Sequence, residues 1–109
     1  MNNENKENIY SVERTHKVDI ASKIEKMNIK FHVGKSDTII HADDNIFTVI
    51  IKIKTRSDID NEIIEKIIHA NNDICKIIYK WIANGCDTES LLAYMEDVAK
   101  ILNDLRNLK

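Results

Sequence analysis

The chain of 109 residues contains no proline, no glutamine and only two glycines, and aromatic residues make up 6% of it. Such a composition excludes a collagen-like chain and a Pro/Gly-rich linker. Two cysteines are too few for the disulfide framework of small secreted domains, so we expect a reducing, cytoplasmic location. No apolar run approaches the roughly 18 residues of a membrane span, and no signal segment opens the chain, so we expect no membrane partner.

Hydrophobic residues supply 43% of the chain and charged residues 31%, which is the balance of a globular protein rather than a disordered one. The length predicts one domain. We expect residues 1–8 to be a flexible tail and residues 9–109 to form a single α+β domain. Asn, Ile and Lys together supply 45 residues, and their AT-rich codons indicate an AT-rich bacterium or its phage.

The charge is unevenly distributed along the chain. The net charge of −2 is too small to favour nucleic acid as a partner. Residues 30–56 carry five basic and three acidic groups, whereas residues 57–109 carry six basic and ten acidic groups. An anionic ligand is therefore expected on the first of these segments.

A β-hairpin is predicted in the middle of the chain. Thr38–Ala42 is short and β-branched, Asp43–Asn45 has turn chemistry, and Ile46–Thr55 is the longest predicted strand. Alternate residues of that strand form one apolar face, made of Phe47, Val49, Ile51 and Ile53. Its other face ends in Lys52 and Lys54. This pattern is typical of a central strand in a small antiparallel sheet that helices cover on one side.

The segment before the hairpin is harder to assign. Residues 9–17 show no clear period. Residues 18–27 fit either a short helix capped by Asp19 or a strand. Residues 29–33 alternate between apolar and polar side chains, which predicts a strand, and residues 34–37 are expected to form the loop after it.

Two helices are predicted in the last half. The first begins at Ser57 or Asp58 and carries an apolar stripe at helical spacing from Ile59 to Trp81. The Asn-Asn-Asp sequence at residues 71–73 is expected to kink or divide it, because these side chains compete for backbone hydrogen bonds.

Gly85 is placed for the left-handed residue after the first helix, and Asp87 is placed to cap the second. The second helix has a seam of heptad type, made of Leu91, Met95, Val98, Leu102 and Leu105 and flanked by Leu92, Ala99 and Leu108. The stripe is wider than one neighbouring helix needs. We therefore expect a homodimer or higher oligomer with this helix at or near the contact.

Lys52, Lys54 and Arg56 are candidate ligand-binding residues. They project from one strand face and can hold phosphate oxygens. The rival interpretation is a charged edge strand that prevents aggregation. Tyr79 and Trp81, near the end of the first helix, can stack on a base or fill the core; we expect Trp81 in the core and count Tyr79 among the ligand-binding residues.

The chain offers no pattern typical of a metal or catalytic site. Its four histidines lack zinc-site spacing, and neither cysteine has a CxxC partner. Cys75 belongs to the helical stripe, and Cys86, although it precedes a helix N-terminus, has no assignable histidine partner. Residues 34–36, Gly-Lys-Ser, lack the upstream glycine and the following helix of a P-loop. We therefore expect no catalytic residue, no metal and no cofactor, and a protein that is not an enzyme.

Residues 74–98, ICKIIYKWIANGCDTESLLAYMEDV, form an apolar helix, a glycine, an Asp cap and a second apolar helix. This stretch resembles the helix–Gly–Asp–helix segment of the TSCPD family, which occurs at the ends of ribonucleotide reductases and as small stand-alone proteins. A strand followed by two such helices is also similar to the phage proteins that sequester nucleotide immune signals, the Thoeris anti-defence sponges. The resemblance carries over no ligand residue.

Two functions follow as hypotheses. The first is a non-catalytic homo-oligomeric binding protein that sequesters an anionic, nucleotide-like ligand, as the resemblance to the phage sponges implies. The alternative is a protein-binding inhibitor, such as an antitoxin or a phage inhibitor of a host enzyme, that acts through its helical face. A concave basic pocket would favour the first hypothesis, and a broad exposed apolar or acidic patch would favour the second.

Overall fold

The computed structural model describes residues 8–18, 24–55 and 61–105. These residues form the strands β1 (Asn8–Lys17), β2 (Ile24–Val33), β3 (Ser36–Asp44) and β4 (Ile46–Thr55), followed by the helices α1 (Asn61–Ala83) and α2 (Thr88–Asp104). The predicted α+β class, with an antiparallel sheet in the N-terminal half and two C-terminal helices, is confirmed.

The four strands form one antiparallel sheet in the order β1-β4-β3-β2. The long strand β4 is central, as its sequence predicts, and its bounds agree with the predicted ones. β1 and β2 are the two edge strands, so these consecutive strands do not pair with each other; β2 pairs with β3, and β1 pairs with β4.

Two-residue turns join β2 to β3 and β3 to β4. Val33 pairs with Ser36 across the first turn, in which Gly34 has φ 60°, a value that glycine adopts without steric cost. Asp43 pairs with Ile46 across the second turn, where Asp44 has φ 61°. Asp is one of the few residues with a side chain that tolerate this left-handed region.

The structure corrects two predictions in the first half of the chain and assigns one segment for which none was made. Residues 24–27 belong to β2, so the helical alternative is wrong there; residues 19–23 lie outside the described part. The predicted loop at residues 34–37 is shorter, because Ser36 already pairs in β3. Residues 9–17, for which no period was evident, form β1. Arg14 interrupts the alternation of that strand, which explains why its sequence shows no clear strand period.

One face of the sheet, here called the inner face, packs against the helices. α1 lies over β1 and β4, and α2 lies over β2. The sheet contributes Ile40, Ala42, Phe47, Val49, Ile51 and Ile53 to the core, and the helices contribute Ile67, Ile74, Ile78, Trp81, Met95, Val98 and Leu102. The four β4 residues and the helical stripes are those that the sequence predicts, and β3 adds Ile40 and Ala42.

The link between the helices matches its prediction residue by residue. Gly85 has φ 88°, its N–H donates to Ile82 O, and the N–H of Cys86 donates to Trp81 O, which together form a Schellman motif. Asp87 caps α2 by accepting a hydrogen bond from Glu89 N–H at 3.1 Å. Trp81 is buried, as expected, and its Nε1–H donates to Asp87 O.

The predicted division of the first helix at residues 71–73 is wrong, because α1 is continuous through them. Asn71 is fully buried, and its side-chain amide donates to Val12 O and Val49 O, at 3.1 and 3.0 Å. These bonds to β1 and β4 occupy the amide away from the helix backbone, so it does not compete with the helical hydrogen bonds.

Within the described ranges, neither α1 nor α2 combines the length and apolar character that a transmembrane helix needs.

Candidate functional site

The side of the sheet away from the helices, here called the outer face, carries the residues of interest. Lys52 and Lys54 are both exposed there, because they alternate with the buried Ile51 and Ile53 of β4. The prediction that these two lysines share one strand face is therefore confirmed. Arg56, the third predicted cation, lies outside the described residues.

Strand register adds two residues beside Lys52. Asp37 of β3 is the direct partner of Lys52, and His32 of β2 is the direct partner of Asp37. The three side chains form a row across three strands. His32 Nδ1 lies 2.5 Å from Asp37 Oδ1, a hydrogen bond in which the protonated ring nitrogen donates to the carboxylate.

A second row lies next to the first. Lys30 of β2 is opposite Ile39 of β3, which in turn is opposite Ile50 of β4. Both isoleucines are half-buried. They provide an apolar floor between cations that neighbouring strands present.

The two rows border a groove of about 390 Å³. We call it the basic groove and define it by Lys30, His32, Asp37, Ile39 and Lys52; Phe31 and Thr38 complete its lining. The turn between β2 and β3 is bonded to the end of β4, since Lys54 N–H donates to Lys35 O at 3.1 Å.

The charges around the groove are unequally paired. The hydrogen bond from His32 lowers the pKa of the Asp37 carboxyl below its ordinary value; burial opposes this shift, and the charges of Lys54 and Lys52 act in the same direction as the hydrogen bond. Asp43, at the other end of β3, lies 3.9 Å from Lys26. Within the described ranges, no carboxylate lies within ion-pair distance of Lys30, Lys52 or Lys54.

Tyr79, the remaining predicted site residue, is not part of this groove. Its ring contacts those of His16 and Phe47, with centroids 5.6 and 5.2 Å apart. Phe47 belongs to the inner face, and it precedes Lys52 by five residues, or about 17 Å along an extended strand. The structure therefore brings Lys52 and Lys54 together and places Tyr79 on the other side of the sheet.

The cysteines and histidines form no alternative centre in the described part of the chain. Cys75 is buried in the core as predicted, and burial raises the pKa of its thiol to about 11, so the thiol stays protonated at neutral pH. Cys86 is half-buried, and neither cysteine is in a disulfide. No group of three metal-ligating side chains occurs among the residues that the structure describes.

Sequence reasoning missed Lys30, His32 and Asp37 as members of one site. Lys30 and His32 alternate with Ile29, Phe31 and Val33, so the period already places them on the outer face. Their meeting with Lys52 depends on the order β4-β3-β2 and on a two-residue turn, where the sequence had predicted a longer loop.

Comparison of the chain with protein-family models, curated proteins and solved structures finds no match. The resemblance to the TSCPD segment and to the phage sponges therefore stays a prediction.

Proposed function

We propose that this protein is a non-catalytic binding protein that holds an anionic, nucleotide-like ligand in the basic groove. The observation that carries the proposal is the unequal pairing of charges. The carboxylate of the groove, Asp37, is engaged by His32, whereas Lys30, Lys52 and Lys54 face no carboxylate within ion-pair distance in the described ranges. Ammonium groups in this arrangement attract phosphate oxygens and hold them by charge-assisted hydrogen bonds.

The floor of the groove supports a nucleotide over a simple inorganic anion. Ile39 lines the groove, and Ile50 is its direct neighbour on β4, next to the groove; both remain partly exposed. A base or sugar that covers them removes apolar surface from water while the phosphate reaches the lysines. Ligand sites commonly combine such an apolar lining with a few convergent polar groups.

The proposal extends to assembly and biological role. We propose a homo-oligomer that sequesters its ligand in the cytoplasm, in the manner of phage anti-defence sponges. The heptad seam of α2 is used inside the subunit, since Met95, Val98 and Leu102 are buried. Support for a subunit contact therefore rests on Leu92, whose side chain is 71% exposed on the same helix.

Leu92 also supports the alternative, a protein-binding inhibitor that acts through its helical face. Glu89 and Glu96 lie three residues before and four after Leu92, and all three side chains are exposed on one side of α2. An apolar side chain between carboxylates suits a partner with a basic rim. This function needs no anion site on the sheet, so ligand binding separates the two proposals.

Isothermal titration calorimetry with ADP and cyclic AMP at low ionic strength tests the proposed function. We expect the double variant Lys30→Ala/Lys52→Ala to lose at least about tenfold in affinity, because two charge-assisted contacts disappear. Added salt should weaken binding to the wild type, since contacts at an exposed site are screened.

The matched control is Lys76→Ala/Lys100→Ala, which removes the same charge from the helices. Both lysines are about four-fifths exposed and only 4.0 and 3.9 Å from a carboxylate of their own helix. We expect its affinity to stay within about twofold of the wild type, because both lysines lie on the helices rather than in the basic groove. Their exposed ion pairs also contribute little to the stability of the fold. Equal losses in both variants would place the site elsewhere, and absence of binding by the wild type would favour the protein-binding alternative.

A further inference from the structure

His32, which lines the basic groove, is paired with Asp37 on the neighbouring strand. His32 and Asp37 are directly opposite each other on β2 and β3, and the tight turn at Gly34 and Lys35 fixes this register. The strand register therefore places these two side chains next to each other on the outer face. A slip of one residue would move His32 to the inner face.

The hydrogen bond to Asp37 uses Nδ1 and leaves the other ring nitrogen, Nε2, available. The His32 side chain is 75% exposed, and it lines the groove together with Lys30 and Lys52. A carboxylate on Nδ1 fixes the orientation of an imidazole ring. The protonated ring then presents Nε2–H as an additional donor beside two ammonium groups.

We propose that His32 is a ligand-binding residue of the basic groove, held in place by Asp37, and that its protonated imidazole donates from Nε2 to an anionic oxygen of the ligand. This inference rests on the proposed function and adds a specific property to it. Binding of the anion and protonation of His32 are coupled, so each favours the other.

The neighbouring charges determine the sign of the effect. The charged groups around His32 are its direct partner Asp37 on β3, Lys52 of β4 in the same row beyond Asp37, and Lys30 of its own strand; Lys54 of β4 acts on Asp37. Lysines stay positive and aspartates negative between pH 6 and 8, whereas imidazole groups titrate near neutral pH. Lowering the pH therefore adds one positive charge to the groove, and anion binding should strengthen.

Calorimetric titration with cyclic AMP at pH 6, 7 and 8 tests the inference, because this phosphodiester stays a monoanion throughout. We expect the wild type to bind about tenfold more tightly at pH 6 than at pH 8. His32→Asn should bind with the same affinity at all three values, close to that of the wild type at pH 8.

His41→Asn is the matched control. His41 is exposed on the same face, four residues beyond Asp37 on β3, and its cross-strand partners are Thr48 and Asn28. We expect this variant to keep the full pH dependence of the wild type. Loss of that dependence in His41→Asn, or its survival in His32→Asn, would overturn the assignment to His32.

Asp37→Asn separates positioning from simple charge. Without the carboxylate, the ring is no longer held by its hydrogen bond, so the gain in affinity between pH 8 and pH 6 should shrink; an unchanged gain would contradict the positioning role of Asp37. Binding that is strong but independent of pH in the wild type would overturn this inference and leave the proposed function intact. Absence of cyclic AMP binding at every pH would contradict both.

Discussion

Single side chains connect the helices to the sheet, and Asn71 is the clearest case. As one of three consecutive polar residues that compete for backbone hydrogen bonds, it was expected to disrupt the helix, yet its amide spans from α1 to the carbonyls of β1 and β4. Its own oxygen lies 3.5 Å from Cys75 Sγ, one turn along the helix. A buried amide that makes all of these bonds stabilises one relative position of helix and sheet.

We expect Asn71→Ala to lower the free energy of unfolding by about 2 kcal/mol, because it removes buried hydrogen bonds and leaves a small cavity. The control is Asn72→Ala at the next, half-buried position, where we expect a change within about 0.5 kcal/mol. Urea denaturation followed by circular dichroism measures both variants. Similar midpoints for the two variants would contradict the bridging role of Asn71.

Residues were predictable where the signal is local. Gly85 and Asp87 were assigned correctly because a Schellman motif and an N-cap depend on a few adjacent residues. The meeting of His32 with Asp37 was not predictable, because it requires the two strands to pair in one particular register. That register follows from a turn that is two residues shorter than the sequence suggested.

Among the secondary-structure elements, β4 and β1 show opposite degrees of predictability. β4 is central and alternates between a fully apolar face and an outer face that ends in lysines, so its bounds and orientation followed from its sequence. β1 pairs only with β4 in the described ranges, and its inner face includes the exposed Arg14. An edge strand with a partly covered inner face needs no strict alternation, and its signal is correspondingly weak.

The prediction of self-association rests on the wide apolar stripe of α2. The residues of its seam pack inside the subunit, so the apolar surface left for a partner is smaller than the sequence suggested. Among the described residues of α2, Leu92 is the large apolar residue that remains exposed. The proposed contact must therefore centre on Leu92.

Sedimentation velocity at about 100 µM tests this proposal. We expect the wild type to sediment as a dimer or larger species, and Leu92→Glu to shift it towards the monomer, because a charge at the centre of an apolar contact opposes association. Ala93→Glu, at the adjacent exposed position, is the control for added charge. A monomeric wild type would exclude assembly at this concentration.

Across the whole molecule, the two layers differ in charge as well as in structure. The described helical segment, residues 61–105, contains four lysines and eight carboxylates. By strand alternation, the outer face of the sheet presents five lysines, at positions 17, 26, 30, 52 and 54, against the carboxylates of Glu13, Asp37 and Asp43. An approaching anion is repelled by the helical side and attracted by the sheet, which favours encounter at the groove.

This polarity was visible in the sequence as a difference between segments, and the sheet order explains how cations from separate strands come to border one groove. β2 and β4 are separated by β3, so lysines from distant parts of the chain lie on either side of Ile39. Composition predicts the sign of the charge on that layer. Only the topology determines which cations surround one apolar floor.

The most direct measurement of the central claim, that the outer face binds a nucleotide-like anion, is a titration of ¹⁵N-labelled protein with cyclic AMP, followed by amide chemical shifts. We predict that the largest changes occur at Lys30, His32, Ile39 and Lys52, with those of α2 around Leu92 nearly unaffected. The changes should saturate with one affinity. Shifts centred on α2, or a spectrum unchanged by millimolar cyclic AMP at low salt, would contradict the claim.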